Sequence, residues 1–342
     1  MTKPDKSRLT KGARMPTAAT DGNVYIPMDQ REGEVATVYF TRDLSAKGME
    51  KVYEKVNQKI GSEKVAVKLH TGEPKGPNII PPAWVKEFIA DESPNATIIE
   101  TNTAYDGGRY TTENHRETLK VNGWDFCPVD ITDAEGTAKL PVAGAKWIPE
   151  ITVGKSMLDY ENLIVLTHFK GHGMAGFGGS DKNLGIGCAD GRIGKVDIHS
   201  SNGKNFDILE EELMERITES TKGTIDFFGE HVTYVNVMRN MSVDCDCAGV
   251  DAAPVVTPNV GILSSTDICA VDSACIDLVW AMKPEDNHDL KERIESLRGL
   301  RQLTYMQELG MGTMRYKLID LDNGGVEIDP AEAVAHCVPF EG

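Results

Sequence analysis

The stretch Leu163-Ile164-Val165-Leu166-Thr167-His168-Phe169-Lys170-Gly171-His172-Gly173-Met174-Ala175-Gly176-Phe177-Gly178-Gly179-Ser180-Asp181-Lys182-Asn183 sets the reading of the chain. Leu163 to Thr167 has the length and apolar character of a buried strand, and it breaks at once into histidine, lysine and glycine. In α/β folds with parallel strands, ligands collect at the carboxyl ends of the strands.

Further strands and helices extend outward from this one. Val38 to Phe40 opens a strand, and Ser45 caps a helix whose Met49, Val52, Val56 and Ile60 share one face. Val65 to Leu69 is an apolar run ending in His70-Thr71-Gly72-Glu73, followed by a Gly/Pro-rich loop to Pro82 and a helix carrying Trp84, Val85, Phe88 and Ile89. Ala96 to Glu100 is the next strand and leads into Asn102-Thr103-Ala104-Tyr105; a polar helix follows over 112 to 121. Downstream, the pattern predicts a helix from Phe206, strands at Val232 to Met241 and Gly261 to Ser265, and helices near 268 to 282, 286 to 297 and 300 to 309. This alternation predicts an α/β fold with parallel or mixed sheets flanked by helices. At 342 residues two domains are expected: a flexible lead at 1–34, an α/β domain at 35–165 and another at 166–342, with an active-site crevice between them.

The formal charge of −17 is spread along the chain without a Lys/Arg stripe, which argues against nucleic acid as a partner. No secretory h-region and no 18-residue apolar run occurs, so the expected location is the cytoplasm, without a membrane partner. There the seven cysteines stay reduced and open to metal or redox chemistry.

Nine glycines lie between Gly171 and Gly194, interrupted by His172, Lys182 and Cys188. Such density signals close backbone approach, and successive glycine amides can cradle an anion. Lys182 would add charge or act as a nucleophile. Gly171, Gly173 and Gly176 also satisfy G-x-G-x-x-G, with Asp197 downstream, a pattern of low specificity so far from the first βα unit.

In Cys245-Asp246-Cys247 the cysteines are two apart, so in extended chain both thiolates face one metal or cluster. Cys188 is the expected third ligand and Cys269 a candidate fourth, whereas Cys275 belongs to the helical stripe Ile268, Val271, Cys275, Leu278 and Met282. His168, His172, His199 and His70 stand at strand ends or around the glycine segment and are the candidate bases or ligands; His231, His288 and His336 lie in polar stretches, and His115 is undecided.

These residues carry a resemblance. Val65 to Glu73, Glu100 to Tyr105, His168 to His172, Gly176 to Gly179, Lys182 to Gly185, Gly187-Cys188, Gly194-Lys195, His199-Ser200, Cys245 to Cys247 and Gly261 to Asp267 are similar to domain-of-unknown-function family 362, over about residues 35 to 322. Many members of that family are described as iron-sulfur proteins with a ferredoxin-like insertion after the His-Ser pair; here Asn202 to Asn205 lead straight towards the next helix. The resemblance implies a cluster, [4Fe–4S], on Cys188, Cys245 and Cys247.

A more distant resemblance is to the nickel-pincer lactate racemase superfamily, through His172, Gly176-Phe177-Gly178-Gly179, Lys182 and His199. That resemblance implies a nucleotide cofactor on Lys182 beside Gly176, Gly178, Gly179 and Asn183, nickel on His199 and proton transfer by His172. The expected function is a metal- or iron-sulfur-dependent enzyme, redox or lyase/isomerase in type, with His172, Lys182, His168 and His70 in the catalytic set. Its expected partners are a small anionic substrate and a redox protein. The alternatives are a nickel-pincer 2-hydroxyacid racemase and a non-catalytic iron-sulfur carrier.

Overall fold

Strand residues alternate between two apolar faces in the computed structural model, which describes residues 24–337. In strand Asn162–His168, Leu163 and Val165 pack into one core with helices Glu210–Phe228 and Ile268–Ala281. Ile164 and Leu166 pack into the other, against residues of helices Ala46–Tyr53 and Pro82–Glu92. A sheet between two helical layers follows from that two-sided burial.

The strands of the main sheet are β1 (Ala36–Thr41), β2 (Val65–Lys68), β3 (Thr97–Glu100) and β4 (Val129–Ile131) in the first part of the chain. Two hairpin strands, β5 (Thr137–Pro141) and β6 (Glu150–Gly154), pair apart from it before β7 (Asn162–His168). A second small hairpin, β8 (Lys170–His172) with β9 (Gly176–Gly178), precedes β10 (Val232–Met238), β11 (Gly261–Ser265), β12 (Tyr316–Asp320) and β13 (Val326–Ile328). The nine-stranded order is β13-β12-β1-β11-β10-β7-β2-β3-β4. It is mixed: β7 runs parallel to β10 and β2, whereas β11 is antiparallel to both β10 and β1.

From β2 the chain steps outward to β3 and β4, then returns to β7 on the other side of β2 and steps the opposite way to β10. The strand order therefore reverses between β2 and β7, the position at which an open α/β sheet leaves a crevice beyond its strand ends.

Several expectations are corrected here. The division placed at 165/166 falls inside β7, and β1 crosses to pair with β11 and β12, so one sheet joins the two segments. Of the lead expected to be flexible, residues 1–23 lie outside the described residues, but the rest is anchored: Arg31 forks onto buried Asp277 at 2.5 and 2.8 Å, and Tyr25 stacks on Trp280. The helix predicted from Phe206 begins at Glu210, where Glu210, Glu211 and Glu212 complement the positive end of the helix. The strand predicted to Met241 stops at Met238 because Asn240 turns the chain at φ 47°. The glycine segment folds as the β8–β9 hairpin followed by helix Ser180–Gly187. No helix among the described residues is long and apolar enough to cross a membrane.

Candidate functional site

Beyond the carboxyl ends of β2, β3, β7 and β10 lies a cavity of about 470 Å³. Lys68, His70, Glu100, Lys170, His172, Lys182, Lys195, His199, Cys245 and Cys247 all face it.

Cys245 and Cys247 are brought together as the spacing predicts. One ligand atom from each of them and one ring nitrogen of His172 lie within 4.8 Å of one another. Asp246, between the cysteines, points back into the protein, where its carboxylate meets His168 Nδ1 at 2.9 Å and Lys170 Nζ at 3.1 Å. Burial alone would raise its pKa, but His168 and Lys170 hold it well below the usual carboxylate range. Asp246 is thus a buried peg that turns both flanking thiols to the cavity.

The same opposition of burial and charge operates at Cys245. A hydrogen bond from the Cys247 thiol, with the cations of Lys182 and Lys170 beside it, outweighs burial and brings the Cys245 thiol well below its ordinary pKa. Cys247, as the donor, is pushed the other way. The pair is a thiolate accepting from a thiol.

The histidines differ in what they offer. Gly72 N–H donates to His70 Nδ1 at 3.0 Å, so in the neutral ring the proton sits on Nε2, 3.6 Å from Cys245 Sγ. Met174 and Ala175 N–H groups donate to His172 Nδ1, which likewise leaves an N–H at its Nε2. Burial pushes both pKa values down, so both rings are neutral donors. His199 is reversed: its Nδ1 donates to Lys195 O at 2.7 Å, so Nε2 keeps its lone pair, and burial pushes its pKa down to about 4. Phe206 stacks on this ring at 4.7 Å.

Five cations line the cavity. Glu100 binds Lys68 at 3.0 Å and lies 3.9 Å from Arg109, which also pairs with Glu73; Lys170 pairs with Asp246. Lys182, 8% exposed, and Lys195 have no carboxylate within ion-pair distance among the described residues. Lys195 donates to Thr101 Oγ1 and Asn102 O at 2.5 Å, and burial lowers its pKa to about 8.

Other expected site residues are placed elsewhere. Cys188 is buried in the main core, does not line the cavity, and is pushed up to about 11 by burial, so the three-cysteine set does not assemble. His168 is spent on Asp246 and on Arg239 O at 2.6 Å, and Cys269 is buried under Leu303. Gly176 turns at φ 73° against Gly299, and a Cβ on Gly171 would meet Val243 O at 2.3 Å. Gly171 and Gly176 therefore admit the protein's own backbone, while Gly173, the remaining glycine of the G-x-G-x-x-G pattern, lines the cavity. Gly178 and Gly179 do line the cavity, though Gly179 also abuts the Asp272 carboxylate. Asn183 lines it as well, but its amide donates to Leu166 O and Thr167 Oγ1 and accepts from Lys68.

Sequence reasoning missed Arg109, Glu100 and Lys195 as site residues, and Asp246 as the support of the two cysteines. Lys68 carried a usable signal: a lysine inside the four-residue strand Val65–Lys68 is buried on both faces and so must meet a carboxylate.

The donor set tests the implied cofactors. A [4Fe–4S] cluster is held by cysteine thiolates, typically four, and only two cysteines line the cavity. The cluster does not fit the described residues. Two sulfurs and an imidazole suit a single soft ion better, provided His172 gives up its Nε2 proton. For the nickel-pincer cofactor, Lys182 has no ion-pair partner and His199 has a free Nε2, in keeping with the roles implied for them.

No curated protein matches the sequence. Among solved structures, the chain is similar to the lactate racemase apoprotein from Thermoanaerobacterium thermosaccharolyticum, at 13% identity and a TM-score of 0.35, over 87% of this chain and 85% of that one. It is also similar to a structural-genomics protein from Thermotoga maritima, at 12% identity and a TM-score of 0.38, over 75% of this chain and 59% of that one. A family model matches residues 65–277, more than half of the chain, and the chain belongs to the family it describes, Domain of unknown function (DUF362).

Proposed function

We propose that the protein is an enzyme, redox or lyase/isomerase in type, that acts on a small anionic substrate at the Cys245–Cys247–His172 centre. The observation that carries this reading is the Lys182 ammonium, which stands in the cavity beside a thiolate and has no carboxylate partner among the described residues. A buried cation without a carboxylate favours an incoming anion. Lys182 and Lys195 would grip the anion, His70 would donate a proton from Nε2, and His199 Nε2 would accept one. His172 would donate from Nε2 in the metal-free site; with that proton lost it would instead join Cys245 and Cys247 on a soft metal ion that adds Lewis-acid chemistry. The buried position of the pair speaks against a carrier that passes a cluster at its surface.

Thermal-shift titration with small carboxylates and phosphates tests this, with Lys182→Ala as the control. Ligands that stabilise the wild type and lose that effect in K182A support it; equal stabilisation of both would sink it. Elemental analysis of anaerobically purified protein separates the cofactors: one soft ion per chain, lost in Cys245→Ser, supports the mononuclear centre, and acid-labile sulfide would restore the cluster.

A second reading, a racemase with a nickel-pincer nucleotide, is favoured by the free Nε2 of His199. Its signature is an intact-mass increment the size of a nucleotide adduct on Lys182.

A further inference from the structure

Three features are candidates. The groups Glu50, Glu87, Asp91 and His288, Asp289, Glu292 lie mostly at the surface, with nothing else pointing to a ligand. The groove around Trp280 and Lys291 has nothing that says what covers it. The Cys245–Cys247 pair carries further.

We infer that Cys245 and Cys247 form a reversible dithiol site for peroxide-class oxidants, Cys245 as the attacking sulfur and Cys247 as the resolving one. This goes beyond the proposed function and does not depend on it. The two sulfurs lie within 4.8 Å of each other, and both cysteines line the cavity. His70 Nε2 stands 3.6 Å from the Cys245 sulfur, able to donate to whatever negative charge that sulfur holds. A cysteine that a cavity opens to small oxidants, beside a resolving one, is the arrangement that turns oxidation into a disulfide and away from irreversible products. None of the other five cysteines lines the cavity, and Cys188, Cys269 and Cys275 are buried in the core.

The chemistry balances within the pair and the oxidant. The Cys245 thiolate attacks one peroxide oxygen; an S–O bond forms, the O–O bond breaks and hydroxide leaves, giving a sulfenic acid. The Cys247 sulfur then attacks Cys245; the S–S bond forms, the S–O bond breaks, and the hydroxyl leaves with the thiol proton as water. The pair loses two electrons, which the peroxide gains, and an external dithiol reverses the step. Closing the bridge removes the thiolate from the cavity.

The test treats the full-length, chelator-washed protein with hydrogen peroxide, alkylates the remaining thiols and maps the peptides by mass. The expected product is a Cys245–Cys247 link, lighter by two hydrogens and restored by dithiothreitol, while Cys188, Cys269 and Cys275 alkylate only after denaturation. Cys247→Ser should stop at a Cys245 sulfenic acid that dimedone traps. Cys245 passing straight to sulfinic acid in the wild type, or a link through other cysteines, would overturn the inference, and the wild-type map decides this even if the variant misfolds.

Discussion

Asp181 and Lys182 are neighbours on helix Ser180–Gly187 and open onto two buried regions of opposite character. Lys182 faces the cavity, where cations keep Glu100 and Asp246 ionised despite burial, and the Cys247 hydrogen bond together with the Lys182 and Lys170 charges does the same for Cys245. Asp181 faces helix Glu210–Phe228, where it accepts from Thr218 and leaves Oδ1 without a hydrogen-bond partner. No cation is at hand there, and burial pushes Asp181 up to about 7 and Asp272 to about 6, with the Cys269 and Cys275 thiols raised as well. Depth alone does not set protonation; the sign of the nearest charge does.

The largest effect that would break this contrast is removal of the peg behind the cysteines. Asp246→Ala leaves the Lys170 ammonium buried without its counter-charge and His168 Nδ1 without its partner, and it should cost about 3–5 kcal/mol in equilibrium urea unfolding. A loss below roughly 1 kcal/mol would mean that the Lys170 ammonium is hydrated and the peg is not needed.

Next comes the cavity field itself. Lys182→Met keeps the stem and removes the charge, so the Cys245 pKa should rise, and the midpoint of the pH profile of its alkylation by iodoacetamide should move up with it. An unchanged midpoint would assign the thiolate to the Cys247 hydrogen bond alone.

The smallest effect sharpens the other side. Asp181 and Asp272 hold protons in the folded state up to about 7 and 6, whereas in the unfolded chain they ionise near 3.8. Between those values the folded state binds more protons, so their contribution makes stability fall as pH rises from roughly 4 to 7. Asp181→Asn should flatten that fall by roughly 1 kcal/mol or more, read from urea midpoints across the window. A profile parallel to the wild type would show Asp181 ionised throughout.

Much of the fold was legible because apolar strand runs and a capped helix are local facts. Ser45 accepts from Gly48 N as its position predicted, and the strands at 65, 97, 162 and 261 form within a residue or so of expectation. Less visible were β4, β12 and β13, short or polar strands with little apolar signal of their own. At the site, Cys245 with Cys247, His70, His172, Lys182 and His199 were marked in advance and do share one cavity. Cys188 was misjudged because a cysteine in a glycine-rich segment reads alike whether it faces a cavity or a core.

What the sequence determined by itself was the inventory: alternating strands and helices, the Cys-x-Cys spacing, and polar residues gathered at strand ends. Tertiary structure decided the chemistry each one has. Whether a histidine presents a proton or a lone pair depends on which backbone group reaches its other nitrogen, Gly72 N–H for His70 but Lys195 O for His199. Whether a buried acid is charged depends on which cation the fold brings alongside it. Both are contacts between distant segments, and local pattern carries no record of them.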